Sequence, residues 1–107
     1  MTYENIKNEV TEETKKLKGG DNAKLTGGDN AKLAGGDNAT LAGGKNSLMV
    51  GDHGSKAKGK LNSVILLVER DKEWNVINYK AFQVDGKSVK EDTFYKLKDG
   101  ELVEVTE

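Results

Sequence analysis

His53 is the only histidine in the chain, and it directly follows Asp52. A histidine beside a carboxylate can act as a general base or bind a metal, but either role needs further groups at a suitable spacing. The chain has no cysteine and no second histidine, and no spaced pair of carboxylates stands out. We therefore predict a protein that is not an enzyme, with no catalytic residues, no metal ligands and no cofactor. His53 is expected to be a solvated turn residue.

Three aspartates, Asp21, Asp29 and Asp37, recur every eight residues after a pair of glycines. Such turns are similar to those of calcium-binding β-rolls, but the β-roll unit has nine residues and places its aspartates differently. A phosphate-binding loop would need a Lys-Ser or Lys-Thr pair and a following helix. Calcium binding is therefore a minor alternative, and the regularly spaced glycines indicate a repeat architecture.

That architecture is a set of six tandem octads covering residues 19–66. They read GGDNAKLT, GGDNAKLA, GGDNATLA, GGKNSLMV, GDHGSKAK and GKLNSVIL. Position one is always glycine, position five is alanine or serine, and position seven is apolar. Position four is asparagine except in the fifth unit, which has Gly54. A fixed short period predicts a repeat architecture in which each unit buries its apolar edge against its neighbours.

Positions five and seven are two residues apart, so they point to the same side of a strand. Glycine and asparagine then turn the chain because both tolerate positive φ, and the asparagine amides could also bond to the next coil. Two octads per coil, giving three coils, is favoured over a triangular prism with three octads per coil. A flexible linker is disfavoured because it has no reason to keep leucine in frame. The residues predicted inside are Ala23, Leu25, Ala31, Leu33, Ala39 and Leu41.

Residues 34–42, AGGDNATLA, resemble the octads of bacterial ice-nucleation proteins, whose units run Ala-Gly-x-x-Ser-x-Leu-Thr. The resemblance covers residues 19–50 well and 51–66 weakly, and it implies a β-solenoid. Ice binding itself would need flat outward arrays of threonine. The outward positions of the first octads alternate instead among lysine, threonine and alanine.

The C-terminal part resembles the tails of uncharacterised phage and prophage proteins that carry similar octads. The segments behind this resemblance are KGKL at 58–61, VDGK at 84–87, DTFYKL at 92–97 and GELVEV at 100–105. The resemblance implies a phage or mobile-element origin. The expected location is the cytoplasm of the host bacterium, since the sequence has no apolar span or signal-peptide core.

The chain is expected to divide into three segments. Residues 1–18 predict an N-terminal amphipathic helix that caps the solenoid, with Tyr3, Ile6, Val10 and Leu17 on one stripe. Residues 67–107 predict a C-terminal antiparallel β-meander cap, which holds five of the six aromatic residues. The fold class is therefore all-β, a short parallel β-solenoid of octapeptide repeats between these two caps. The strands expected around the meander are 63–69, 75–84, 87–89, 94–97 and 102–105. The first of them is apolar on both sides, so it is expected to be a central strand that is covered on both faces.

Two octads per coil would give the solenoid two outer faces. One is polar and basic, and it is the candidate partner-binding face. The other becomes apolar in its last two coils and needs a cover, either from the C-terminal strands or from a second copy in a homodimer. We expect the homodimer, because the aromatic residues of 67–107 are predicted to form a core of their own. The basic face carries Lys24, Thr26, Thr40, Lys56 and Lys58, and the apolar face carries Leu48, Val50, Val64 and Leu66.

The absence of catalytic chemistry and the rigid surface predict a non-enzymatic protein-interaction module. The leading hypothesis is a phage-encoded inhibitor of a bacterial host defence, comparable in role to an anti-CRISPR protein, that binds a host protein. A structural or oligomerising phage module is the alternative, and an ice-binding protein or a sponge for a nucleotide signal is less favoured. The balance of 17 basic and 18 acidic residues argues against nucleic acid as the partner. No membrane partner is expected.

Overall fold

The computed structural model describes residues 16–106, and within that range the chain forms strands, turns and loops but no helix. The strands are β1 (Lys16–Lys18), β2 (Lys24–Thr26), β3 (Lys32–Gly35), β4 (Thr40–Ala42), β5 (Leu48–Gly51), β6 (Lys56–Lys58), β7 (Val64–Arg70), β8 (Val76–Gln83), β9 (Phe94–Lys98) and β10 (Glu101–Val105).

These strands form two five-stranded sheets. Sheet A has the order β1-β3-β5-β7-β8, and sheet B has the order β10-β9-β6-β4-β2. The repeat strands pair in parallel, with Leu33 beside Met49 in sheet A and Leu25 beside Leu41 in sheet B. Each pairing advances the chain by two octads, so the prediction of an all-β parallel solenoid with two octads per coil is confirmed.

The core lies between the two sheets and is built from positions five and seven. Ala31, Leu33, Ala39 and Leu41 are fully buried, as predicted. In the first coil, the predicted interior residues Ala23 and Leu25 are only half-buried. The later coils continue the same column with Met49, Ala57, Ile65 and the serines Ser47, Ser55 and Ser63.

Glycine at position one is required by a close approach inside each unit. A Cβ on Gly27 would lie 2.5 Å from the Ala31 Cβ, whereas a Cβ on Gly28 would meet nothing within 4 Å. Position four has a different requirement, because its residue takes a left-handed conformation, with φ of 62° at Asn30. The fifth octad satisfies it with Gly54, at a φ of 80°.

Side chains at positions three and five join neighbouring coils. Asp29 Oδ1 accepts the Lys45 N–H at 2.9 Å, and Ser63 Oγ donates to the Gly44 carbonyl at 2.6 Å. An asparagine amide ladder was also expected, and that expectation is wrong. At position four, the main-chain N–H of Asn38 donates to the His53 carbonyl of the next coil. Left-handed backbone makes this main-chain bond available, and none of the described position-four amides makes a coil-to-coil bond.

The predicted N-terminal helix is wrong at its last three residues. Lys16, Leu17 and Lys18 form β1, which pairs in parallel with β3. The physical reason is that they match positions six to eight of an octad, with one apolar residue between two outward lysines, and β3 offers them a hydrogen-bonding edge. Residues 1–15, which contain the rest of that prediction, lie outside the described residues.

The C-terminal strands do not form one meander. β8 pairs antiparallel with β7 and extends sheet A, while β9 pairs antiparallel with β6 and, with β10, extends sheet B. The short strand expected at 87–89 is absent from the described chain; that segment is a loop in which Asp85 Oδ1 accepts the N–H groups of Lys87 and Val89. No helix among residues 16–106 is long and apolar enough to cross a membrane.

Candidate interaction surfaces

The basic face predicted from the sequence is the outer face of sheet B. Its residues lie in register, with Lys24 beside Thr40 and Thr40 beside Lys56. Strand β9 extends the same row by placing Lys96 opposite Lys56. The structure therefore brings the predicted residues together and adds one lysine that the repeat did not reveal.

Phe94 fixes two of these lysines. Its ring lies under the Nζ atoms of Lys56 and Lys58, at 4.9 Å and 4.8 Å from the ring centroid. Cations over an aromatic face are attracted by the ring quadrupole, so the ring holds both ammonium groups on the outer surface. A concave groove crosses the face beside them. It is lined by Asn38, Ala39, Thr40, Gly54, Lys56, Lys96, Val105 and Thr106.

The predicted apolar face is the outer face of sheet A. Leu48 and Val50 are 45% and 36% exposed, and they lie beside the half-buried Val64 and Leu66 of β7. Strand β8 continues the sheet sideways and places Ala81 next to Leu66. The prediction that β7 is covered on both sides is therefore wrong, because β8 lies beside the sheet and not over it.

A cluster at the turn between β7 and β8 was not predicted. Arg70 donates to Asp52, and its main-chain N–H donates to His53 Nδ1 at 2.9 Å. His53 also packs edge-on against Trp74, with ring centroids 5.9 Å apart. The expectation of a solvated histidine is therefore wrong. His53 is half-buried, and as an acceptor at Nδ1 it carries its neutral-state proton on Nε2.

Charge accumulates along the same edge of the solenoid. Asp21, Asp37 and Asp52 follow one another from coil to coil. Desolvation, together with repulsion from Asp21 and Asp52, raises the pKa of Asp37. The Arg70 hydrogen bond has the opposite effect on Asp52 and holds the pKa of that carboxyl below its usual value.

The aspartates considered for calcium have a structural role. Asp21 Oδ1 accepts the Asp37 N–H at 3.1 Å, while Asp29 lies at the opposite edge and bonds to Lys45. Within residues 16–106, no group of three or more potential ligand side chains is placed to hold a metal ion.

The outer strand of sheet A carries exposed apolar side chains. Val76, Ile77 and Tyr79 of β8 are 51%, 56% and 75% exposed, and the preceding Trp74 is half-exposed at a φ of 71°. A sequence signal was present, since residues 74–79 contain four large apolar residues. Trp74 and Tyr79 were expected to belong to the aromatic core of the C-terminal cap, and that expectation is wrong because both lie at the surface.

The chain matches no protein-family model, no curated protein and no solved structure.

Proposed function

We propose that the protein is a non-enzymatic protein-interaction module. The observation that carries this proposal is the outer face of sheet B, where lysines stand in register across β2, β6 and β9 on a rigid backbone. The repeat strands of this face are hydrogen-bonded to one another at intervals of two octads along the chain, so the face has little freedom to rearrange. Less conformational entropy is therefore lost on binding. Its lysines and threonines suit an acidic, polar patch on a partner protein.

The biological role that we propose is inhibition of a bacterial host defence by a phage-encoded protein in the host cytoplasm. Support comes from the resemblance of the C-terminal segments to phage proteins and from the small rigid scaffold. Binding by contact needs no reaction chemistry, which agrees with a candidate face made of lysines, threonines and one buried aromatic ring.

The proposal includes two caps. A solenoid with open ends invites uncontrolled stacking, so its terminal coils need cover. At the C-terminal end, β8 and β9 pair with the last strands of the two sheets, which supports a capping role for residues 67–107. At the other end, β1 and β2 are the outermost strands among the described residues. We propose that an N-terminal amphipathic segment covers them.

The test is capture of the binding partner from a host lysate, followed by reconstitution with the purified partner. Lys24→Glu combined with Lys56→Glu should weaken the reconstituted complex at least ~100-fold, because close like charges across an interface cost several kcal/mol. Lys32→Glu, an exposed lysine on sheet A, is the matched control and should bind normally. Equal loss in both variants, or no specific partner, would contradict the proposal.

A structural or oligomerising module is the second candidate function. The exposed aliphatic side chains on the outer face of sheet A favour it, since a second copy would remove Leu48 and Val50 from water. The observation to make is the protein content of purified virions: a protein absent from the particle would not be a virion component.

A further inference from the structure

Strand β8 is the outermost strand of sheet A, and its outer edge is long and apolar. It is eight residues long, and within residues 16–106 it pairs on one side only, with β7. Natural sheet proteins shield such edges with charges, prolines or short strands, because an apolar open edge recruits another strand. Here the edge carries Val76, Ile77 and Tyr79, all more than half-exposed, and its interior holds one charge, Lys80.

The main-chain groups on the open side can be assigned from the hydrogen-bond pattern. The Val64 N–H donates to the Ser47 carbonyl, towards β5, and the Val84 N–H donates to the Ser63 carbonyl, towards β7. Because main-chain groups alternate in direction along a strand, the even-numbered residues of β8 bond to β7. The N–H and carbonyl groups of Tyr79, Ala81 and Gln83 therefore face the open edge.

We propose that this edge binds the β8 strand of a second copy of the chain, antiparallel and about a two-fold axis at Tyr79. In that register the two Tyr79 side chains face each other, Ile77 faces Ala81 of the second copy, and Asn78 faces Lys80. Aromatic and apolar pairs across strands stabilise a sheet. In the neighbouring register, the two-fold axis would pass through residue 80. Lys80 would then face Lys80 of the second copy, and the two like charges would repel each other.

A second copy is the occupant that the strand fits best. A two-fold contact uses the same open edge on both copies, so it closes both at once and stops further strand addition. The product is one continuous sheet made from the five strands of each copy. The Leu48 and Val50 side chains of the two copies would lie on its surface and not in the contact. The inference rests on the self-association of the second candidate function but moves the contact from the outer face of sheet A to the edge of β8, and it leaves binding by sheet B independent.

The test is sedimentation equilibrium of the full chain at micromolar concentrations. The wild-type protein should be a dimer, and Ala81→Pro should weaken the dimer about tenfold or more, because it removes two symmetric edge hydrogen bonds. Proline is tolerated where the N–H faces away from the sheet, so the β7 ladder should survive. Leu48→Lys is the matched control and should remain a dimer.

A single cysteine tests the register without relying on proline. The chain has no native cysteine, so Tyr79→Cys should form a disulfide between the copies on mild oxidation, because residue 79 faces itself. Gln83→Cys should not, since the two residues would lie about 26 Å apart along the strands.

A monomeric wild-type protein would overturn the inference, and so would a dimer that Ala81→Pro leaves intact. A dimer broken by Leu48→Lys alone would assign the contact to the outer face of sheet A and overturn the edge contact. In each case, binding of a partner protein by sheet B would still be measured separately.

Discussion

Arg70 and Asp52 are joined by two hydrogen bonds, from Nε to Oδ1 at 2.7 Å and from Nη2 to Oδ2 at 3.1 Å. The pair ties the end of β7 to a turn of the last full coil. The same guanidinium lies over the Trp74 ring and donates to the Trp74 carbonyl at 2.8 Å. One side chain therefore connects the repeat to the turn that begins β8.

Arg70→Lys should lower the melting temperature by about 4 °C or more, because an ammonium group cannot reproduce a bidentate contact or stack on indole. The comparison variant is Lys60→Ala, which removes a single-point ion pair to Asp92 with both side chains about half-exposed. Exposed pairs of that kind contribute little to stability. Thermal melts followed by circular dichroism would show the ranking, and equal shifts would contradict the role given to Arg70.

Two adjacent glycines should respond in opposite ways to alanine. Gly27→Ala places a Cβ 2.5 Å from the Ala31 Cβ and 3.2 Å from Leu33 Cδ2, and overpacking of this kind costs about 1–3 kcal/mol. Gly28→Ala meets no atom within 4 Å, so it should be neutral or stabilise by up to about 1 kcal/mol by restricting the unfolded chain. Denaturant unfolding of the two variants measures the difference directly.

Leu33→Asp should unfold the solenoid. Leu33 is 2% exposed, at the centre of the apolar column, and an unpaired carboxylate there should cost more than about 4 kcal/mol. Leu61→Asp is the control, because Leu61 lies in a turn and is 38% exposed. If Leu33→Asp melted at the wild-type temperature, the assignment of position seven to the interior would be wrong.

The octads made the solenoid predictable because each position carries one local requirement. Glycine at position one marks a close approach, asparagine at position four marks positive φ, and leucine at position seven marks the interior. The same rule could have identified β1, since Lys16-Leu17-Lys18 fits positions six to eight. It was obscured because Leu17 also continues a helical stripe with residues further upstream.

The surfaces were only partly predictable. The row from Lys24 to Lys56 follows from the period alone, and so does the neighbourhood of Leu48 and Val64. Lys96 and Phe94 join the basic face through an antiparallel pairing between β6 and β9, whose register no local pattern specifies. The open edge of β8 was missed for a related reason: a strand of apolar residues does not reveal whether both of its neighbours exist.

Glu69 gives the last prediction, on the effect of acid. Its Oε1 accepts the Gly100 N–H at 2.8 Å, and its Oε2 accepts the Asp99 N–H at 2.9 Å, so it anchors the turn between β9 and β10. Burial, the largest single influence, raises the pKa of Glu69. The hydrogen bonds from Gly100, Asp99 and Asn78 together outweigh it and hold the pKa below its ordinary value.

A carboxyl with a lowered pKa in the folded chain stabilises the fold above its unfolded pKa, and that contribution disappears as the pH falls through the folded pKa. Hydrogen bonds from nearby main-chain or side-chain groups likewise lower the pKa values of Asp52, Asp71 and Asp85. Asp37 acts in the opposite direction, because its raised pKa means that ionisation costs stability. Because four of these carboxyls have lowered pKa values and only Asp37 has a raised one, we expect a net loss of stability below about pH 4.

Glu69→Gln should therefore weaken the fold at pH 7 and flatten the dependence of unfolding free energy on pH between about 2 and 5. Glutamine keeps the size of the side chain but offers one acceptor oxygen where the carboxylate offers two, so one of the two turn N–H groups loses its partner. Glu73→Gln is the matched control, since the Glu73 carboxylate accepts no hydrogen bond from any residue between 16 and 106, and its pH profile should follow the wild type. Urea midpoints measured at several pH values decide the matter: a Glu69→Gln profile as steep as that of the wild type would show that this carboxylate does not anchor the hairpin.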